Sequence, residues 1–227
     1  MTISTKKKSL TTYFSEGYAL AIKKPFAYVL GYVVPFIFQL LVLQTSLLQS
    51  WIAVMMILII NIGIAFTFPI LLDTKLSAYS NVAWSFTVMT LKSIKRLFLP
   101  GLFLFILLGI FLMVISNFFG IQSIEQMMRY KIAMFAIPML LFSFNKFYFA
   151  LDNSGLLKSF WRSTVLSIRN ISFSTIMLPI RLIPLFFVDS LSSKELSLMT
   201  LSYLGTSVLA YWENCVTYLY FRSVVKR

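Results

Sequence analysis

The chain has no histidine, one cysteine and only seven acidic residues in 227. Without histidine it lacks both the commonest metal ligand and the commonest general base. Cys215 stands in an apolar run, has no intrachain partner for a disulfide, and reads as a small hydrophobe. Charged residues of both signs make up 12%, where a soluble domain carries about 25%. The acids are scattered, with no paired carboxylates on one face, no nucleophile set beside a base and no glycine-rich phosphate loop. No enzyme activity, metal or cofactor is therefore expected.

What the chain does have is apolar length. Hydrophobic residues make up 59% and mean hydropathy is +0.86, the profile of a membrane-embedded all-α protein. Six spans are predicted at about Phe26–Leu48, Ile52–Leu72, Phe98–Phe118, Ile132–Ala150, Ser172–Val188 and Leu198–Phe221. At ~20 residues each, they leave one integral membrane domain over residues 1–227. The start, Met-Thr-Ile-Ser-Thr-Lys-Lys-Lys, resembles the charged end of a signal peptide. The apolar stretch after it exceeds a signal core and has no small-x-small cleavage site, so it is expected to be an uncleaved span. The turns between paired spans are placed at Gln49-Ser50 (Trp51 anchoring the interface), Asn117–Lys131 and Asp189–Ser197.

A cationic, amphipathic stretch precedes each pair of spans: Ala19–Phe26, Leu91–Phe98 and Leu166–Phe173. They recur roughly every 70 to 75 residues, which suggests one supersecondary unit used three times. The units are about 13–72, 84–150 and 156–221, each an interfacial helix followed by a transmembrane hairpin. In the third, Leu156, Leu157, Phe160, Trp161, Val165 and Ile168 fall at helical spacing between Lys158, Ser159, Arg162, Ser163, Ser167 and Arg169. Trp84, Val88, Leu91, Ile94 and Phe98 form a similar stripe, and Phe14, Tyr18, Ile22 and Phe26 a weaker one. Basic helices of this kind lie among lipid headgroups. Lys23, Lys24, Lys92, Lys95, Arg96, Lys158, Arg162 and Arg169 are the residues expected to meet anionic lipid.

The net charge of +13 is distributed as in a membrane protein. Apart from Arg129, Lys131, Arg181 and Lys194, every Lys and Arg falls before span one, after span six, or in or next to the links after spans two and four. By the positive-inside rule both termini are expected in the cytoplasm. No segment between spans is long enough to build a nucleic-acid-reading face.

The segment Phe149-Ala150-Leu151-Asp152-Asn153-Ser154-Gly155-Leu156-Leu157-Lys158-Ser159-Phe160-Trp161-Arg162-Ser163 carries a resemblance. A span ends in an acid, a short Gly-containing turn follows, and an amphipathic helix begins; Leu72-Asp73 is a fainter version of the same join. The pattern resembles YciC-type bacterial inner-membrane proteins and the membrane domain attached to some glycerophosphodiester phosphodiesterases. The motif covers about twenty residues and its physical content is generic, although the six-span architecture covers nearly the whole chain. The resemblance implies a non-catalytic integral protein of the bacterial envelope.

Polar groups at membrane depth are costly and therefore candidates. Arg181 in span five and Glu213 in span six lie at comparable depth, where antiparallel neighbours could pair or hold a lipid phosphate or ionic substrate. Asn61, Asn145 and Asn214 put an amide in each even-numbered span, as glue between helices or as a pathway. Lys146 is expected to snorkel to the cytoplasmic end, and Pro35, Pro100, Pro138, Pro179 and Pro184 to kink their spans. The sequence reads as a non-enzymatic multi-pass inner-membrane protein in envelope or lipid homeostasis, or as the membrane subunit of a larger complex. Membrane lipids, through anionic headgroups at the cytoplasmic face, and protein partners in the membrane are its expected partners. The alternative is the permease subunit of an ATP-driven transporter, with Asp73–Lys95 as the segment that docks an ATPase.

Overall fold

A computed structural model describes residues 8–44, 51–73, 79–118, 131–186 and 196–225, and within them every regular element is helical. The elements are α1 (Leu10–Lys23), α2 (Pro25–Tyr28), a π-helical turn (Val29–Val33), α3 (Val34–Gln44), α4 (Trp51–Asp73), α5 (Tyr79–Phe118), α6 (Lys131–Leu141), α7 (Asn145–Leu151), α8 (Leu156–Arg169), α9 (Ile171–Phe186) and α10 (Leu196–Val225). The chain is all-α, and helix lies in each segment predicted to span. The predicted turns at Gln49-Ser50, around Gln122 and around Ser193 lie outside the described residues. Among the described residues no single helix is long and apolar enough to cross a membrane. Leu10–Lys23 and Pro25–Leu40 pass that test only as a pair, bent by 83°.

The three amphipathic stretches meet the following helix in two ways. Pro25 has no N–H and pushes Lys24 out of the helical region, so α1 ends there with Lys24 at φ −126°, ψ 54°. Asn170 ends α8 in nearly the same conformation, φ −123°, ψ 43°, with no proline present. Its side chain supplies the reason: Nδ2 donates to the Leu166 carbonyl at 2.9 Å, satisfying a helix end. The middle stretch departs from expectation. Leu91–Phe98 is not a separate interfacial helix but part of the 40-residue α5, which runs through Pro100. No proline, glycine or asparagine stands between Leu91 and Leu99 to divert the backbone, so helix simply continues.

Span four departs in the opposite direction. It is expected as one helix over Ile132–Ala150 but divides into α6 and α7 at Phe142–Phe144. The interruption frees backbone groups, and α8 satisfies them. Ser163 Oγ accepts from Phe144 N–H at 2.9 Å and donates to the Leu141 carbonyl at 3.0 Å, where Ser167 Oγ also donates at 3.0 Å. Ser159, Ser163 and Ser167 form the inward face of α8, and none has any exposed surface. Removing the hydroxyl in Ser163→Ala leaves the Phe144 N–H without its acceptor. A loss of about 1–2 kcal/mol is expected, measurable as a lower thermal midpoint in detergent, whereas Ser172→Ala on an exposed position should change nothing.

Pro35 produces a wider turn. It cannot donate to the Gly31 carbonyl, and the preceding turn opens to the π form, with Val34 N–H bonded to Val29 O. In the core, α1 packs along α10. Tyr13 donates to Ser223 Oγ at 2.7 Å and lies edge-on to Tyr220 at 5.2 Å. Tyr220 stacks on Phe173 of α9 at 3.7 Å. The Tyr211 hydroxyl donates to Lys24 O at 2.5 Å, and that of Tyr220 to Asn170 Oδ1 at 2.8 Å. Both helix breaks are thus held by tyrosines of α10.

Candidate functional site

Four elements distant in sequence converge on one polar cluster in the interior. Arg181 of α9 projects toward α10, where its Nε donates to Glu213 Oε1 at 2.7 Å. The two side chains are only 10% and 9% exposed. Arg181 also donates to Ser143 Oγ in the α6–α7 interruption and to Thr217 Oγ1 at 3.1 Å. Thr217, one turn after Glu213, donates to the same carboxylate oxygen at 2.7 Å. Each of the three guanidinium nitrogens therefore donates to an acceptor, as a buried charge requires.

A second chain of bonds runs beside the first. Lys146 of α7 donates to Asn214 Oδ1. Asn214 Nδ2 donates to the Tyr32 hydroxyl at 2.5 Å and to the Ala210 carbonyl at 2.9 Å. Tyr32 lies in the π-helical turn, and Tyr203 of α10 donates to its carbonyl at 3.0 Å. Lys146 also sits over the Phe147 ring at 5.5 Å. The cluster holds two cations, Arg181 and Lys146, against one anion, Glu213. Its geometry locks α7, α9 and α10 to the π turn.

The sequence-derived candidates distribute unevenly over this site. Arg181 and Glu213 meet directly, and Asn214 belongs to the cluster. Asn145 is buried beside it, and its Oδ1 has no hydrogen-bond partner among the described residues. Asn61 is half-buried on α4 and makes no hydrogen bond among the described residues. Lys146, expected to snorkel, instead engages Asn214. Ser143, Tyr32 and Thr217 went unrecognised. Only Thr217 had a signal, its i+4 spacing from Glu213 on one helical face.

The interfacial basic residues also separate into two groups. Lys23, Lys92, Lys95, Lys158 and Arg169 are exposed. Lys24, Arg96 and Arg162 also join helix ends, although Arg96 is exposed as well. Lys24 Nζ donates to the last carbonyls of α4, Leu71 O at 3.3 Å and Leu72 O. Burial lowers its pKa below the usual lysine value, with the Asp73 carboxylate opposing. Arg96 donates to Asn153 Oδ1 at 2.6 Å and Ser154 O at 2.8 Å, with its guanidinium over the Phe149 ring. Arg162 pairs with Asp152 at 3.1 Å. Asp73, at the corresponding join after α4, accepts from Tyr218 at 2.6 Å and pairs with Arg222. A carboxylate held by an arginine thus recurs at both joins.

Among the described residues no group of three or more His, Cys, Asp or Glu is placed to hold a metal ion. The buried cluster offers a guanidinium, an ammonium, a carboxylate and hydroxyls, each held by hydrogen bonds. Its chemistry is that of charge pairing and helix clamping. No family model, no curated protein and no solved structure matches this chain.

Proposed function

We propose that this chain is a non-enzymatic, multi-pass integral protein of a bacterial inner membrane, with six spans and both termini cytoplasmic. It acts in envelope or lipid homeostasis, or as the membrane subunit of a larger assembly, and anionic lipids contact its cytoplasmic face.

The orientation of the amphipathic segments carries this reading. On α8 the serines point inward, while Leu157, Trp161 and Ile168 point out, Trp161 being 71% exposed. On α5, Phe86, Thr90, Ser93 and Leu97 are buried, while Trp84, Leu91 and Phe98 point out, Trp84 being 72% exposed. On α1, Tyr13 and Gly17 are buried, while Tyr18 and Ile22 point out. In water an amphipathic helix turns its apolar stripe toward the core. Three helices that bury some apolar residues and also leave large ones exposed, around an interior holding Arg181, Glu213 and Lys146, suit a surrounding solvent that is lipid. The acid–turn–amphipathic-helix join resembling YciC-type proteins points the same way.

Topology is the direct test. In a Cys215→Ala background, single cysteines at Ser50, Gln122 and Ser193 are expected to react with a membrane-impermeant thiol reagent in intact bacterial cells. Cysteines at Lys92 and Lys158 should react only after lysis. Labelling of the latter pair in intact cells would overturn the orientation, and recovery of the protein in the soluble fraction would overturn the membrane reading. Stoichiometric co-purification of an ATPase in mild detergent would move the assignment to the permease alternative.

A further inference from the structure

The C-terminal half of α8 and the end of α10 enclose a groove of about 630 Å³, within the size range of small-ligand sites. One side is apolar, formed by Val165 and Leu166 of α8 with Val224 and Val225 of α10. The other side is polar and cationic. Arg169, in the last turn of α8, is exposed and makes no hydrogen bond or ion pair among the described residues. Tyr148 lines the same space, and its hydroxyl has no hydrogen-bond partner among the described residues. Arg162 lines it too, spending one nitrogen on Asp152 and on Ser154 Oγ. Asp152 is the only acid among the described residues of the lining.

We propose that this groove binds the phosphate headgroup of an anionic phospholipid, with Arg169 and the Tyr148 hydroxyl as principal donors. Arginine suits phosphate because its planar fork presents paired N–H groups to two oxygens. Charge complementarity selects an anion, and the apolar wall selects one that carries hydrocarbon. A small soluble anion would leave Val165, Leu166, Val224 and Val225 unused. The groove also adjoins Trp161, which belongs to the outward apolar stripe of α8. Acyl chains leaving the groove would therefore continue along the surface already assigned to lipid. The site rests on the membrane reading and adds to it a defined position and a preference by headgroup charge.

The test uses the full chain reconstituted in nanodiscs of phosphatidylcholine with a minor fraction of phosphatidylglycerol, followed by native mass spectrometry of the released protein. The wild type is expected to retain phosphatidylglycerol in preference to phosphatidylcholine. Arg169→Gln should lower that retention roughly tenfold, about the size of one charge-assisted hydrogen bond. Tyr148→Phe, which keeps the ring, should lower it less. Lys158→Gln removes an equal charge from the same helix outside the groove, where lipid contact is diffuse, and should lower retention far less than Arg169→Gln does. Equal losses in Arg169→Gln and Lys158→Gln would mean diffuse surface attraction and overturn the site. Displacement of the lipid by millimolar inorganic phosphate would overturn the lipid as occupant in favour of a free anion. A protein that inserts but retains both lipids equally defeats the groove alone, whereas one that never enters nanodiscs defeats the membrane reading as well. Arg169 is exposed and unpaired among the described residues, so its substitution should not disturb folding, and an unchanged thermal midpoint checks this.

Discussion

Replacing Arg181 by leucine should lower stability by about 3–5 kcal/mol, the range for breaking a buried pair by removing one partner. The carboxylate of Glu213 would then keep only the Thr217 hydroxyl among its direct partners, and Ser143 would lose the donor that ties the α6–α7 interruption to α9. Glu213→Leu should cost a similar amount by stranding the guanidinium. The double leucine variant should be more stable than either single one, because the desolvation of both ions disappears together. Thermal midpoints of the four proteins in one detergent give the cycle. Single variants near wild type whose effects add would show that the pair contributes nothing. Lys146 sharpens the comparison. In the Arg181→Leu protein it is the remaining cation of the cluster, so Arg181→Leu combined with Lys146→Met should fall below Arg181→Leu alone.

The second large effect is expected at Gly17, where α1 crosses α10. A Cβ placed there would lie 3.1 Å from both the N and Cα of Val216 and closer still to a methyl of its side chain. Backbone cannot yield as a side chain can, so Gly17→Leu should force α1 away from α10 and cost about 3 kcal/mol, the upper end of ordinary overpacking. It should also disturb the Tyr13–Ser223 and Tyr211–Lys24 hydrogen bonds on either side. Gly17→Ala meets the Val216 side chain first, so Val216→Ala should rescue much of that variant but little of Gly17→Leu. Gly205 supplies the control: an added Cβ meets nothing within 4 Å. Gly205→Ala should be neutral or gain up to about 1 kcal/mol from helix propensity. Equal behaviour at the two glycines would remove the close approach of α1 and α10 from the account.

Composition and hydropathy were enough to place helix in every predicted span, since long apolar runs without strand alternation leave few alternatives. They were also enough to single out Arg181 and Glu213. These are opposite charges at comparable depth on neighbouring predicted spans, and a buried ion needs a counter-ion. The helix break after Lys24 was local as well, because Pro25 imposes it on the preceding residue. The continuity of α5 was equally local: the missing breaker between Leu91 and Leu99 is visible in the residues themselves.

Tertiary structure decided what depended on residues far apart. Span four divides because Ser163 and Ser167, about twenty residues downstream, stand ready to satisfy the freed groups at Leu141 and Phe144. No local propensity records that. Lys146 reads as a snorkelling lysine until Asn214 arrives from α10 to accept from it, itself held by the Tyr32 hydroxyl of the π turn. Asn61 and Asn214 look alike in sequence, yet only Asn214 lands where a lysine and a tyrosine converge. An amphipathic period states that a helix has two faces but not which one meets the protein, because that depends on the partner surface. Here the partners of α8 are the exposed backbone groups of an interrupted helix. Hydroxyls satisfy those groups, so Ser163 and Ser167 turn inward beside Leu156 and Leu166, and Trp161 turns out.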